Sequence, residues 1–213
     1  MPTDRFYRLP EQKRKVIRDA ARKEFARVPF EKASINQIIR NAKISRGSFY
    51  TYFSDKQDVM EFVLDEDFAK MRRLCEETLD LNGGEYLGML KVLFEYMVER
   101  LQSTKEIMDI VKNVFAHNDK DIFPECTLET VSSIFDGEKG DASVWLINKV
   151  DKKRLRIQTP EELQSLILLG ASAMVTSIKQ YYLHPDRLEE VRDLFETKLD
   201  ILKHGAYRLQ PAE

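Results

Sequence analysis

The side chains of residues 34–56 (SINQIIRNAKISRGSFYTYFSDK) are of the types that bind nucleic acid. Hydroxyl, aromatic and basic groups stand there between apolar residues, and such groups can hydrogen-bond to base edges and to phosphates. Arg46 can donate two hydrogen bonds to a guanine edge, for about 1–3 kcal/mol of discrimination, or it can hold a phosphate. The residues alone leave both roles open. The segment is therefore a candidate DNA-contacting surface.

Two short helices joined by a tight turn must position these groups. Ser34 has the spacing to cap the first helix in a reciprocal pair with Gln37, worth about 1 kcal/mol. Ser45 can cap the second helix in the same way, before residues 46–52. The apolar residues predicted to face a small common core are Ile35, Ile38, Ile39, Ala42, Ile44, Phe49 and Phe53. This layout predicts a helix-turn-helix, in which the second helix enters the DNA major groove.

Helical patterns flank this segment on both sides. Apolar residues recur at helical spacing from about Pro10 to Val28, so a helix is expected there. Residues 1–9 are predicted to be a loose basic arm carrying Arg5 and Arg8. Downstream, Ser54 and Gln57 repeat the capping spacing and predict a long helix that ends near residue 79.

The rest of the chain also predicts helices rather than strands. Asn82-Gly83-Gly84 is the clearest helix stop, because these residue types tolerate a positive φ. Further helical patterns cover residues 85–103, 105–117 and 126–151, and Thr159-Pro160-Glu161-Glu162 is a strong helix start. His184-Pro185 ends that helix before a final one. We therefore expect an all-α protein with about nine helices.

Charge is distributed unevenly, although the net charge of the 213 residues is only −2. Residues 1–60 hold 14 Lys and Arg against 7 Asp and Glu, whereas the remainder is acidic. A basic end can meet a polyanion or can simply be a solvated charged helix. No apolar run of about 18 residues and no leader pattern occurs, which predicts a cytoplasmic protein without membrane contact. Two cysteines and three scattered histidines lack ligand spacing, so neither a metal nor a cofactor is expected.

The run from Gly47 to Phe53, followed by Lys56, closely resembles the most specific string of one protein family. With Ile35, Ile38, Ala42, Ile44 and Ser45 it is similar to the DNA-binding domain of the TetR (tetracycline-repressor-like) bacterial transcription regulators. The resemblance implies an N-terminal three-helix DNA-binding domain over residues 1–54. It also implies a larger helical domain for effector binding and dimerisation over residues 55–213.

The resemblance also suggests which groups meet DNA. It makes Tyr52 and Lys56 phosphate anchors, and Gly47 would let the backbone approach DNA or the preceding helix closely. The predicted DNA-binding residues are Ser34, Ser45, Arg46, Gly47, Ser48, Tyr50, Thr51, Tyr52 and Lys56. One departure is Lys43, which stands in the turn where the family usually has glycine. A left-handed conformation there costs about 1–2 kcal/mol, so a distorted or different turn is expected.

The second domain is predicted to pair with its own copy and to hold a ligand. By resemblance, the last two helices of each chain form the dimer contact, although so regular a stripe can equally be core. The predicted interface residues are Leu166, Gly170, Ala173, Met174, Leu188, Val191, Phe195, Leu199 and Leu202. Phe94, Met97, Phe115 and Trp145 are candidates to line an effector pocket, with core packing as the alternative for each.

These features predict a dimeric, sequence-specific DNA-binding transcription regulator. The resemblance favours a repressor that a small, mostly apolar effector releases from a near-palindromic double-stranded operator. Two alternatives stay open: a helical adaptor that uses the small domain for protein contact, and an uncharacterised helical enzyme. No phosphate-binding glycine loop, HExxH or GxSxG stands in the sequence, so no catalytic residue is predicted.

Overall fold

The computed structural model describes residues 2–103, 109, 110, 113 and 142–206. These ranges form helices joined by short turns, with no β-strand among them, and they confirm the predicted all-α class. No helix within them is long and apolar enough to cross a membrane. The α-helices are α1 Asp4–Tyr7, α2 Glu11–Arg27, α3 Ile35–Ala42, α4 Arg46–Tyr52, α5 Lys56–Leu81, α6 Tyr86–Ser103, α7 Ala142–Lys149, α8 Pro160–Leu183 and α9 Leu188–Ala206. Short 3-10 turns are Phe30–Lys32, Lys152–Arg154 and Pro185–Arg187.

The chain divides into two compact units. The first takes its described residues from Met1–Asp67 and Leu101–Ile122, and the second from Phe68–Arg100 and Phe123–Glu213. Helix α5 therefore contributes residues to both units. The predicted boundary between residues 54 and 55 stays a prediction. The predicted helical patterns over 105–117 and 126–151 lie largely outside the described residues, although α7 falls within the second of them.

The N-terminal residues are folded, so the prediction of a loose arm was wrong. Phe6 in α1 is fully buried, with its ring centroid 4.9 Å from that of Phe53 and 4.6 Å from that of Phe62. These rings belong to a core that α1, α2, α3, α4 and the start of α5 share. Its largest members are Phe6, Ile17, Phe25, Ile38, Phe49, Phe53, Met60 and Phe62. Burial of one aromatic side chain thus anchors a segment whose charged residues had suggested a solvent-exposed arm.

The start of α3 is capped as predicted on one side only. The Ser34 hydroxyl accepts a hydrogen bond from the Gln37 amide at 3.4 Å. The Ser34 amide, however, donates to Glu24 Oε1 at 2.8 Å, so Gln37 does not complete the expected reciprocal pair. Glu24 lies ten residues earlier in α2, with its side chain only 1% exposed, and also accepts from Arg27. A buried carboxylate therefore ties α2 to α3.

The start of α5 also differs from the prediction by one residue. Asp55, rather than Ser54, is the cap, because its Oδ1 accepts from the Asp58 amide at 2.9 Å. Asp58 Oδ2 in turn accepts from the Ser54 amide at 2.8 Å. A helix therefore starts at this point of the chain, one residue later than predicted, and carboxylates supply the capping groups in place of a hydroxyl.

In the second unit the start and stop signals are confirmed. Helix α5 ends at Leu81, and Gly83 and Gly84 follow with φ of 69° and 80°. Thr159 caps α8 in a complete capping box with Glu162, and α8 ends before His184. Residues of α6, α8 and α9 share the main core of this unit, with the rings of Phe94 and Phe195 stacked at 4.4 Å.

Candidate nucleic-acid interface

The turn between α3 and α4 is tight and left-handed. Lys43 has φ 53° and ψ 43°, so the expectation of a distorted or different turn was wrong. The Lys43 amide donates to Arg40 O at 3.3 Å, and the Ile44 amide donates to Ile39 O at 3.2 Å. These two bonds satisfy carbonyls at the end of α3 and form a Schellman motif. The chain thus makes the glycine-type turn with a lysine, at a conformational cost of about 1–2 kcal/mol.

On the outer face of α4, the side chain of Arg46 is held by contacts with two neighbouring residues. Arg46 Nη1 donates to Asn36 Oδ1 in α3 at 3.2 Å, and its guanidinium carbon lies 5.6 Å from the centroid of the Tyr50 ring. Both Arg46 and Tyr50 are exposed, Tyr50 by 47%. A cation–π contact at an exposed site contributes about 0.5–1 kcal/mol. Asn36 and Tyr50 therefore restrict the guanidinium, which leaves it in a defined place on the surface.

Three hydroxyl groups lie along the same helix. The Ser45 hydroxyl accepts from the Ser48 amide at 3.0 Å and lies 2.8 Å from the Ser48 hydroxyl, which confirms Ser45 as the cap of α4. The Thr51 hydroxyl donates to Gly47 O at 2.9 Å. A hydroxyl oxygen has two lone pairs and one proton, so each group keeps hydrogen-bonding capacity for another molecule.

Gly47 has open space where a side chain would be. A Cβ built there would meet only Ser45 Oγ, at 3.8 Å, which is ordinary van der Waals contact. Close approach of α3 therefore does not require this glycine. Of the two roles that the sequence allowed, the approach of an external surface to the backbone is the one that this geometry supports.

The two outermost predicted phosphate contacts already have internal partners. Lys56 Nζ donates to Glu31 O at 3.0 Å and Ala33 O at 3.3 Å, and it lies 4.6 Å from the centroid of the Phe30 ring. An ammonium has three protons, so one more bond is possible. The Ser34 hydroxyl accepts from Gln37, and it keeps its own proton to donate.

Tyr52 is half-buried, and the chain around it is held from the N-terminal side. Its ring lies 5.9 Å from that of Phe6 in an edge contact. The Thr3 amide donates to Tyr52 O at 2.9 Å, and the Thr3 hydroxyl donates to Thr51 O at 2.8 Å. Sequence reasoning missed Thr3 and Asn36, because their partners are set by the tertiary fold and no local motif marks them.

Glu24 was also missed, and it carries a perturbed carboxyl. Burial alone would raise the pKa of Glu24, but hydrogen bonds from Arg27 and the Ser34 amide outweigh it and hold that pKa below its ordinary value. The signal was faint in the sequence: one glutamate stands on the apolar face of α2, beside Ala20, Ala21 and Phe25. This carboxylate supports the candidate interface from behind.

In the second unit, most predicted dimer residues are buried within the chain itself. Leu166, Gly170, Met174, Val191, Phe195 and Leu199 are buried, whereas Ala173, Leu188 and Leu202 are half-buried. A Cβ at Gly170 would lie 2.7 Å from Leu90 Cδ1 and 2.8 Å from a Tyr86 ring carbon, so this glycine serves packing within the unit. The large apolar side chains exposed on these two helices are Leu169, Leu183, Leu194 and Ile201.

The predicted pocket residues are only partly described. Phe94 is buried and stacks on Phe195, and Met97 is half-buried. Phe115 and the side chain of Trp145 lie outside the described residues. Pocket lining therefore stays a prediction for Met97, Phe115 and Trp145, while Phe94 has a packing role in the core.

Comparison with known families gives two separate matches along the chain. Residues 17–63 match the family described as bacterial regulatory proteins, tetR family. Residues 85–206 match the tetracyclin repressor-like C-terminal domain. The second match alone covers more than half of the chain, and the first contains α3, α4 and the turn between them.

Individual relatives agree with these matches. The chain is 31% identical over 101 residues to the uncharacterized HTH-type transcriptional regulator YdgC of Bacillus subtilis, covering 44% of this chain and 52% of YdgC. It is 30% identical over 88 residues to the dhaKLM operon transcriptional activator DhaS of Lactococcus lactis, covering 41% of this chain and 44% of DhaS. These matches span about half or less of the relatives' length.

A solved structure of a putative tetR family transcription regulator from Shewanella sp. PV-4 has the same fold. It superposes with a TM-score of 0.57 at 13% identity, over 92% of this chain and 99% of that one. At this identity the likeness concerns the fold alone.

Proposed function

Since the chain belongs to the TetR family of bacterial regulatory proteins, we propose that it is a dimeric, sequence-specific DNA-binding transcription regulator. Its relatives YdgC and DhaS are by name transcription regulators rather than enzymes. The observation that carries the proposal is the exposed, restrained Arg46–Tyr50 pair on α4, next to a turn of helix-turn-helix geometry. We place the protein in the cytoplasm, where its DNA would be.

Helix α4 enters the major groove and reads base edges there. Arg46 donates to a guanine edge, because Asn36 and Tyr50 restrict its guanidinium and a bidentate contact needs a defined plane. Tyr50, Thr51 and Ser48 present a ring and hydroxyl groups on the same helix. The open side of Gly47 lets the α4 backbone come close to the edge of the groove.

Phosphate contacts surround α4 and set its register. The remaining proton of Lys56 and the hydroxyl protons of Ser34 and Tyr52 are the donors for this role. Lys56 stands at the first position of α5, where the helix N-terminus adds a favourable field for an anion. Such contacts contribute affinity without sequence information, so their loss weakens binding on all duplexes alike.

A homodimer binds two half-sites of a near-palindromic operator. We propose that α8 and α9 supply the contact through the apolar side chains they expose. Leu194 and Ile201 lie seven residues apart on α9 and hence on one face, and Leu169 is 55% exposed on α8. The half-buried residues Ala173, Leu188 and Leu202 join this surface at its edges.

Regulation acts through an effector of mostly apolar character, bound in the second unit. A ligand that prefers the state with wrongly spaced α4 helices weakens DNA binding by its difference in affinity between the two states. Repression with release by the effector is the form we propose. DhaS is by name an activator, so a reporter assay must decide the direction of regulation for this chain.

Fluorescence anisotropy with the purified chain tests the DNA-binding proposal. The probes are a labelled duplex selected from a random DNA pool and an unselected random-sequence duplex. We expect steep weakening with added KCl, and Arg46→Ala should lose about 5–150-fold in affinity per half-site on the selected duplex only. Arg156→Ala, which removes an exposed arginine of the second unit, is the matched control and should bind like the parent. A parent chain that retains no duplex would favour the adaptor.

A further inference from the structure

The N-terminal segment closes the C-terminal end of α4. The last carbonyls of a helix lack donors within the helix, and other groups must satisfy them. Here the Thr3 amide donates to Tyr52 O at 2.9 Å and the Thr3 hydroxyl donates to Thr51 O at 2.8 Å. Residues 3–8 therefore lie directly beside the end of the helix that we assign to the major groove.

This segment is held firmly in that place. Phe6 is fully buried, and its ring lies within 6 Å, centroid to centroid, of Phe53, Phe62 and Tyr52. The Arg8 amide donates to Asp4 O at 3.1 Å and closes the single turn of α1. Charged side chains on α1 consequently start from a fixed backbone, so little backbone entropy is lost when they bind a partner.

Two arginines on this segment have no partner within the part of the chain that is described. Arg5 and Arg8 are both exposed, and none of their guanidinium groups meets a hydrogen-bond acceptor or carboxylate among residues 2–103, 109, 110, 113 and 142–206. By contrast, Arg22 in α2 pairs with Asp67 at 2.6 Å, and Arg27 pairs with Glu24 at 2.7 Å. Toward the described residues, Arg5 and Arg8 thus keep their full donor sets available.

We propose that Arg5 and Arg8 bind backbone phosphates of duplex DNA beside the groove that α4 enters. The inference rests on the proposed function and extends its contact surface from α4 to α1. Thr3 touches Tyr52, the proposed phosphate anchor, and Arg5 follows Thr3 by two residues, a span of at most about 7 Å. Phosphates line both sides of a groove about 12 Å wide, so a side chain at the end of α4 meets phosphates before base edges.

The test measures the salt dependence of DNA affinity for Arg5→Ala/Arg8→Ala. Each phosphate contact contributes about 0.9 to the slope of log K against log salt concentration. The dimer carries two copies of each arginine, so the double variant removes four contacts. It should therefore lower the magnitude of that slope by about 3.6, with the same fold-loss on the selected and the random-sequence duplex. Lys152→Ala/Arg156→Ala removes the same charge from exposed positions of the second unit and should keep the parent slope.

One further double variant separates the effect of charge from that of folding. Arg5→Lys/Arg8→Lys keeps a positive charge at both positions and should therefore retain most of the slope. Circular dichroism and thermal unfolding verify that α1 substitutions leave the fold intact. A double alanine variant that is folded and has the parent slope would overturn the inference.

The outcomes distinguish this inference from the proposed function. If the parent binds no duplex, the proposed function fails. A second outcome is that the parent binds DNA, Arg46→Ala lowers the affinity for the selected duplex, and Arg5→Ala/Arg8→Ala leaves affinity and slope unchanged. In that case the proposed function stands and only the role of α1 is wrong. Equal slope losses in the double variant and in Lys152→Ala/Arg156→Ala would also contradict it, because they would indicate a long-range charge effect.

Discussion

The α3–α4 pair and the α8–α9 pair were both predicted from periodic residues, but the structure uses their side chains differently. On α4 the predicted contact residues Arg46 and Tyr50 are exposed and hold each other in place. On α9 the regular apolar stripe, including Phe195, turns inward and packs against the chain's own core. On a helix whose apolar side chains form a small core, the polar side chains can be expected to face solvent. An apolar stripe does not reveal whether it meets its own chain or a second one.

The largest effect expected from this comparison is that of Phe195→Ala. Removing a buried ring that stacks on Phe94 should lower the free energy of unfolding by about 3–5 kcal/mol. Its neighbour Leu194 is 41% exposed, so Leu194→Ala should change that free energy little and should instead weaken the dimer. Chemical denaturation at one protein concentration, together with sedimentation velocity, measures both quantities.

A stable Phe195→Ala chain that dissociates would reverse the conclusion. It would place Phe195 at the partner surface, as the sequence predicted, and would make its stacking on Phe94 energetically minor.

The same change at two glycines should have opposite effects in the two regions. Gly170→Ala should lower the free energy of unfolding by about 1–3 kcal/mol, because its Cβ would clash with Leu90 and Tyr86. Gly47→Ala meets open space and should raise stability by up to about 1 kcal/mol, through helix propensity. It should nevertheless weaken DNA binding, because the methyl group occupies the approach surface.

Thermal unfolding and anisotropy on the selected duplex check this pair. Unchanged DNA affinity in Gly47→Ala would show that the backbone at this position stays away from the groove.

The features predicted correctly from the sequence depend on residues close together in the chain, whereas those that were missed depend on residues far apart. Ser45 and Thr159 were identified as caps because a cap bonds an amide three residues away, within the motif itself. Gln37 does not make its expected bond, because the Ser34 amide donates instead to Glu24 on another helix. Phe6 was missed because the rings that bury it come from residues far along the chain.

The same limit explains the second unit. From the sequence, Phe94 was a candidate either for a pocket or for core packing, and Phe195 was a candidate for the dimer interface. In the structure the two rings stack on each other. Their pairing depends on how α6 and α9 cross, which no local spacing specifies. Helix boundaries at Thr159 and His184, by contrast, depend on adjacent residues and were predicted correctly.

Glu24→Gln should lower the free energy of unfolding and make that free energy less sensitive to acid. The loss is about 1–2 kcal/mol, since Arg27 is exposed and water replaces part of the lost bonding. Because the pKa of Glu24 is lowered in the folded state, its carboxylate stabilises the fold above the ordinary pKa. That stability is lost as pH falls through the folded pKa.

Urea denaturation between pH 7 and pH 3 checks this dependence. The exposed Asp19→Asn on the same helix is the control and should keep the parent's acid sensitivity. An acid profile of Glu24→Gln identical to that of the parent would assign the sensitivity to other carboxylates.

The smallest expected effect is that of Lys43→Gly in the α3–α4 turn. Glycine adopts φ of 53° without the steric penalty of a side chain, so the free energy of unfolding should rise by about 1 kcal/mol. Lys43→Ala retains the penalty and should show no gain. Thermal unfolding of the two variants measures the difference, and a gain shared by both would point to the lysine charge rather than to the backbone.

The claim that two copies of α4 read DNA is tested most directly by selection from a random pool of duplexes with the purified parent chain. The account predicts enrichment of a near-palindromic sequence whose half-sites lie about one helical turn, or a multiple of it, apart. No enrichment, or enrichment of a lone half-site by a monomer, would contradict it.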